Sequence, residues 1–135
     1  MIRRFEEAGP AFLLETEHTS YAFRVLPSGW LEQLYYGPRI AVETAEDLSS
    51  LAEQRAFEPG NSVVYSPAHP LFILDDTRLE FSAPGKGDLR EPALCLTRAD
   101  GSRTVDPVFV SAEICSEKRP LEGLPAAITE AGAED

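Results

Sequence analysis

The densest polar run of this 135-residue sequence is DLRE at residues 88–91. Asp88 and Arg90 carry opposite charges two residues apart, so they can bridge each other or bind the hydroxyl groups of a neutral ligand. A structural ion pair is the more common outcome. The preceding GKG at residues 85–87 looks like a phosphate loop. It lacks the GxxxxGKS/T pattern and a strand–loop–helix context, so a tight turn is the better interpretation.

The other groups that could do chemistry do not form a catalytic arrangement. Asp75 and Asp76 are adjacent, so in a strand they would point to opposite faces. His18 and His69 are the two histidines, and neither has the spacing of a metal ligand. No GxSxG nucleophile motif is present. The sequence therefore predicts no catalytic residue, no metal site and no cofactor.

An aromatic cluster formed by Trp30, Tyr35 and Tyr36 has two interpretations. Aromatic faces stack against sugar rings, so these residues could form a carbohydrate-binding surface. The alternation of apolar residues favours the other interpretation, in which they fill a core or a contact between domains. From the residues alone, the candidate substrate-binding set is Asp88, Arg90 and Trp30.

Charge and composition exclude several classes of partner. The net charge is −11, which disfavours nucleic acid and anionic membrane surfaces and leaves neutral ligands such as sugars. Cys95 and Cys115 have no CxxC spacing, so we expect two buried, reduced thiols rather than a zinc site. The first residues lack the apolar stretch of a signal peptide, and no window approaches 18 apolar residues. These features predict a cytoplasmic protein.

The elements that must position these residues are short. Eleven prolines and nine glycines argue against long helices and favour strands joined by turns. A first strand is predicted at residues 12–16. Residues 20–26 and 30–36 alternate around the turn Pro27–Gly29, which predicts a β-hairpin. Thr44 precedes two acidic residues, so residues 45–54 are predicted to form a short capped helix.

The second half of the chain is less regular. Short strands are predicted at residues 39–43, 63–65, 71–73 and 79–81. A second hairpin is predicted from residues 93–98 and 103–110, followed by a strand at 111–117. Together these elements predict an all-β domain, a β-sandwich with at most one short helix, over residues 1–125. Residues 126–135 are small and acidic, which predicts a flexible tail or linker.

Four motifs, spread in order over nearly the whole chain, resemble a known family. They are FLL at 12–14 with TSY at 19–21, GWLEQLYYG at 29–37, GDLREPAL at 87–94, and DGS at 100–102 followed by LEGLP at 121–125. The second is similar to Gly-x-Leu-x-x-Leu-Tyr-Trp/Tyr-Gly, the third to Gly-Asp-Phe-Arg-x-Pro-Ala and the fourth to Leu-x-Gly-Leu-Pro. Together they resemble the N-terminal domain of family 36 glycoside hydrolases, whose best-known members are α-galactosidases.

The resemblance implies a β-supersandwich that precedes a (β/α)8 barrel in a retaining α-galactosidase. Both catalytic aspartates of such enzymes lie in the barrel, so no catalytic residue carries over to this chain. The implied partners are the downstream barrel, further copies in a homo-oligomer, and galactosides bound by the parent enzyme. The family's sandwich has more strands, so we expect this chain to be a truncated piece of a longer polypeptide.

In tetrameric family members, an acidic residue and an arginine of this domain reach a neighbouring active site. Gln54 and Val63 stand where that polar pair is expected, so the resemblance does not extend to this contact. Two other hypotheses are a stand-alone carbohydrate-binding or interaction module and a small independent enzyme. The enzyme is the weakest of the three, because no nucleophile–base or acid–base pair is found.

Overall fold

A computed structural model describes residues 1–7, 9–52, 63–115, 122, 123 and 125. The described part contains one antiparallel sheet of four strands in the order β1-β2-β3-β4. The strands are β1 (Ile2–Phe5), β2 (Ala11–Glu15), β3 (Thr19–Val25) and β4 (Leu31–Pro38), and a helix, α1 (Ala45–Ser50), follows them. The tail predicted at residues 126–135 lies outside the described residues.

The predicted hairpin is confirmed as β3 and β4. Its turn closes with a hydrogen bond from Leu26 N to Trp30 O at 2.8 Å. Gly29 has a φ of +88°, a left-handed conformation that glycine adopts without steric cost. A Cβ atom at Gly29 would lie 2.9 Å from Cβ of Val108, so close packing also requires glycine here.

One face of the sheet is closed by α1, and we call this region the helix-side core. Its fully or almost fully buried members are Leu13, Ala22, Leu34 and Leu48. The predicted helix is confirmed, and it ends at Ser50. Thr44 and Asp47 form a reciprocal capping box at its first turn. The Asp47 carboxylate accepts hydrogen bonds from the backbone N–H groups of Glu43 and Thr44, which lower the pKa of this carboxyl below its usual range.

The edge strand β1 was absent from the sequence prediction. It pairs with β2 in a register that places Ile2 opposite Leu14 and Phe5 opposite Ala11. The arginines at positions 3 and 4 break the apolar pattern expected of a strand. Their side chains are nonetheless accommodated, because Arg3 binds Glu15 Oε2 at 3.1 Å and Val42 O at 2.7 Å, and Arg4 pairs with Glu6 at 2.5 Å.

Several predicted strands are wrong. Residues 39–43, 63–65, 71–73, 79–81, 93–98 and 103–110 are not strands, nor are 111–115, and 116–117 lie outside the described residues. The turn of the second hairpin exists, with a hydrogen bond from Arg98 N to Ser102 O at 2.9 Å. Its flanks do not pair with each other, because Leu94 N binds Ser82 O and Val105 N binds Pro84 O.

The all-β prediction with one short helix is confirmed. The second half packs beside the sheet through isolated backbone hydrogen bonds, such as Glu80 N to Leu31 O at 3.0 Å. Both cysteines are free, but Cys95 is exposed and Cys115 half-buried, so their predicted burial is wrong. No helix within the described ranges has the length and apolar character needed to span a bilayer.

Replacing Leu48 with alanine should lower the free energy of unfolding by about 2–5 kcal/mol, because its side chain is fully buried between α1 and the sheet. Chemical denaturation followed by the fluorescence of Trp30 measures this. Ser50→Ala, on an exposed position of the same helix, is the control and should change stability by less than about 0.5 kcal/mol. Equal effects of the two substitutions would contradict the proposed packing.

Candidate functional site

A second core forms beside the hairpin turn, and we call it the Trp30 core. Trp30 is 1% exposed and packs with Leu74, Ala83 and Val105. The hairpin thus places the Trp30 indole in contact with the irregular second half of the chain. Stacking on a sugar would require an exposed ring face, and the buried Trp30 side chain offers none in this position.

Asp106 is the polar centre next to the Trp30 core. Its Oδ1 accepts hydrogen bonds from Trp30 Nε1 at 3.0 Å and from the Tyr65 hydroxyl at 2.8 Å. Lys86 Nζ lies 3.3 Å from Oδ2 and 5.3 Å from the centre of the Tyr65 ring. One carboxylate therefore joins three separate segments of the chain.

The charge of Asp106 is stabilised by these neighbours. Partial burial alone would raise the pKa of its carboxyl, but the hydrogen bonds from Tyr65 and Trp30 and the nearby Lys86 ammonium outweigh burial. The net result is a pKa below the usual range. The pKa of Tyr65 is raised, first by burial and then by its hydrogen bond to the carboxylate.

Lys86 sits at the tip of a tight turn, as expected for the GKG run. Its φ is +55°, and it lies between Gly85 and Gly87, which also have positive φ. Asp88 N closes the turn on Gly85 O at 3.1 Å. A Cβ atom on Gly87 would lie 2.8 Å from Cβ of Val63, so the turn is packed tightly against its neighbour.

Asp88 and Arg90 are brought together as an ion pair. Arg90 Nε donates to Asp88 Oδ1 at 2.9 Å, and Nη2 donates to Oδ2 at 3.0 Å. The guanidinium also donates to Thr77 O at 2.6 Å and to Leu74 O at 2.7 Å. The Asp88 side chain is fully buried, whereas that of Arg90 is 36% exposed. The pair therefore fastens two loops, and Leu74 connects it to the Trp30 core.

The remaining candidates stay apart. Asp75 is half-buried and Asp76 exposed, while His18 is exposed on the turn between β2 and β3. His69 lies 5.9 Å from the Tyr65 ring, centre to centre. Across the described ranges, no group of three or more His, Cys, Asp or Glu side chains could hold a metal ion. Of the pair that departs from the family pattern, Val63 is exposed and Gln54 lies outside the described residues.

Sequence reasoning missed Tyr65, Lys86 and Asp106. A single tryptophan that is buried needs a hydrogen-bond acceptor for its N–H, and this was the available signal. The acceptor lies 76 residues away along the chain, so its identity depends on the fold.

Comparison with known proteins decides the family. The family model described as "Glycosyl hydrolase family 36 N-terminal domain" matches residues 29–135. The chain belongs to this family. Two similar curated proteins are the bifunctional α-galactosidase/sucrose kinase AgaSK of Mediterraneibacter gnavus and the α-galactosidase AgaA of Geobacillus stearothermophilus. The first is 35% identical over 85% of this chain, and the second is 32% identical over 88%.

Solved structures of this glycosyl hydrolase family 36 group share the fold. The galactosidase domain of AgaSK superposes with a TM-score of 0.74 at 29% identity over 93% of this chain. The α-galactosidase AgaB of Geobacillus stearothermophilus gives a TM-score of 0.72 at 28% identity over 93%. The chain spans only a small part of these relatives: 12% of the length of AgaSK and 16% of that of AgaA. It spans 17% of the solved galactosidase domain of AgaSK and 16% of the solved AgaB chain.

Replacing Arg90 with lysine should destabilise the domain by about 1–3 kcal/mol, because an ammonium cannot satisfy Asp88 and two carbonyl groups in the same geometry. Thermal or chemical unfolding measures the change. Arg103→Lys is the matched control, since Arg103 is exposed and contacts Cys95 Sγ at 3.6 Å. A loss no larger than that of the control would show that Arg90 does not fasten the loops.

Replacing Asp106 with asparagine should flatten the acid side of the stability profile. Because the folded pKa of Asp106 is lowered, its stabilisation is present above the unfolded pKa of about 3.9 and is lost as the pH falls through the folded value. Asparagine retains an acceptor oxygen and does not titrate. The free energy of unfolding, measured from pH 7 to acid with Trp30 fluorescence, should therefore fall less in the variant. Parallel profiles would contradict the assignment.

Proposed function

We propose that this chain is the non-catalytic N-terminal domain of an α-galactosidase. The observation that carries the proposal is the family match together with the small share of each relative that the chain spans. The matched relatives are named α-galactosidases, and one solved relative, AgaA A355E D548N, is in complex with raffinose. Hydrolysis of terminal α-galactosides would then belong to a (β/α)8 barrel elsewhere in the same polypeptide.

The domain would support that barrel and the contacts between copies in a homo-oligomer. Exposed apolar side chains on the second half of the chain are available for such contacts; they are Leu71, Leu89, Leu96, Val108 and Val110. Burial of apolar surface is the main favourable term in association. These residues also lie in segments without sheet pairing, so neighbouring polypeptide could cover them without displacing strands.

For Asp88 and Arg90 we propose an indirect role in substrate binding. Both Asp88 oxygens are engaged by Arg90, and the guanidinium is bound to two backbone carbonyls. The ion pair holds the loop that presents Leu89, which is 85% exposed. In the assembled enzyme this loop would help to shape the galactoside pocket, and Trp30 would act by supporting the loop from the core.

We also propose a cytoplasmic location. The support is the chemistry of the cysteines: Cys95 is exposed, Cys115 is half-buried, and both are free thiols. Free exposed thiols persist in reducing compartments, where glutathione and thioredoxin keep them reduced.

The native gene product should be several-fold heavier than the 14.8 kDa of this chain. An immunoblot of the source cell against this domain measures its mass. The full product should hydrolyse an aryl α-galactoside, whereas the purified 135-residue chain should not. The corresponding aryl β-galactoside is the control substrate.

A native product of the same mass as this chain would overturn the proposal. Hydrolysis of the α-galactoside by the purified chain alone would overturn it as well, because the domain would then contain the catalytic groups itself.

A further inference from the structure

The face of the sheet opposite the helix-side core carries a shallow groove of about 290 Å³, which we call the tyrosine groove. Its apolar and aromatic lining consists of Met1, Ile2, Leu14, Tyr21 and Tyr36. Ile2 lies opposite Leu14, Leu14 opposite Tyr21, and Tyr21 opposite Tyr36. Directly paired residues have their side chains on the same face, so these four form one row across all four strands.

The described residues leave much of this row open. At one end of the face the ring of Phe109 packs over Phe12, with the centres 6.2 Å apart. At the other end Tyr36 is 73% exposed, and Met1 and Ile2 are 64% and 38% exposed. Burial of such apolar surface would be favourable, so the row is suited to a contact with further protein.

The groove is held in shape before anything docks in it. The Tyr21 hydroxyl donates to Glu80, and the Tyr21 ring meets Tyr36 edge-on, with the centres 6.2 Å apart. An ordered ring therefore supports the exposed one. A surface that is already ordered loses little conformational entropy when it forms a contact.

The polar groups of the groove are already bonded within the chain. The hydroxyls of Thr16 and Thr19 lie 2.8 Å apart, and Thr16 Oγ1 also accepts from the backbone of the turn. The α-ammonium of Met1 donates to Glu15 O, and the Glu15 carboxylate pairs with Arg3 at 3.1 Å. These bonds leave apolar area as the main surface for an occupant, which favours an apolar protein segment over a polar small molecule.

The length of the relatives indicates where such a segment comes from. This chain spans 12% of AgaSK, 16% of AgaA and 17% of the solved galactosidase domain of AgaSK, so most of each relative lies outside the matched part. A segment of the same polypeptide is held close to the groove by its covalent connection. A second copy would lose translational and rotational freedom on binding, so the same polypeptide is the favoured occupant.

We infer that the tyrosine groove docks an apolar segment of the downstream part of the same polypeptide, which buries Tyr36 in the assembled protein. The inference rests on the proposed function, which places this chain in a longer enzyme, and it assigns one contact of that enzyme to one face of the sheet. This contact is separate from the exposed apolar side chains of the second half of the chain, since the row lies on β1–β4. Tyrosine suits it, because the ring packs on apolar groups while the hydroxyl reaches the polar rim.

Thiol labelling of the full native product tests the inference. Tyr36→Cys is compared with Ser50→Cys, the control on an exposed position of α1, and peptide mass spectrometry follows each introduced thiol. The thiol at position 36 should react at least about tenfold more slowly in the folded than in the unfolded product, whereas the control should react at similar rates in both. Radical footprinting of the unsubstituted product should show the same protection of Tyr36, so the test does not depend on the folding of a variant.

Equal labelling of the two introduced thiols, or rapid oxidation of Tyr36 in the folded product, would overturn the inference. Protection that is lost on dilution would make the groove a contact between copies and would overturn it as well. The proposed function fails separately, through a native product of the same mass as this chain. A long product with an unprotected Tyr36 would leave that proposal intact and contradict this inference alone.

Discussion

The hydrogen bond between the Trp30 indole and Asp106 is the contact on which the second half of the domain depends. Burying tryptophan at a hairpin turn leaves its N–H without water, so an acceptor must be supplied by the protein. Asp106 supplies it, and the same carboxylate binds Tyr65 and Lys86. Next to it, Phe109 N binds Gly29 O at 2.7 Å. Loops without sheet pairing are thus fixed to the sheet through one buried ring and one charge.

The predictability of each element follows from the range of the interactions that form it. The hairpin of β3 and β4 and the capped helix α1 are specified by neighbours in sequence, namely alternation around Gly29 and the Thr44–Asp47 capping box, and both were predicted. Strand propensity alone does not predict a strand, because a strand also needs a neighbouring segment with which to pair. Residues 103–110 are rich in β-branched side chains, yet the backbone of Val105 and Phe109 bonds to Pro84 and Gly29 instead. For β1 the error was the reverse: no strand was predicted there, but pairing with β2 forms one in spite of its two arginines.

In the candidate site as well, contacts between residues close in sequence could be predicted and contacts between distant residues could not. Asp88 and Arg90 are two residues apart, so their pairing was one of the two outcomes expected from sequence, and the structure shows that pairing. The burial of Trp30 depends on Leu74, Ala83 and Val105, which lie 44 to 75 positions further along, and no local pattern could bring them together. Tyr36 belongs to the same aromatic cluster in the sequence, yet its side chain is exposed whereas that of Trp30 is buried.

The two faces of the sheet are covered to different extents by the described residues. The helix-side core closes with residues of this chain alone, and Leu13, Ala22 and Leu48 are fully buried there. On the opposite face Phe12 and Phe23 stack with their centres 4.9 Å apart, and Phe109 lies over Phe12, so one end is protected. The other end remains open at Tyr36, and exposed apolar patches on folded proteins are often functional. Tyr36 is 73% exposed, so it contributes little to either core, and the stability of the fold places little constraint on the side chain at this position.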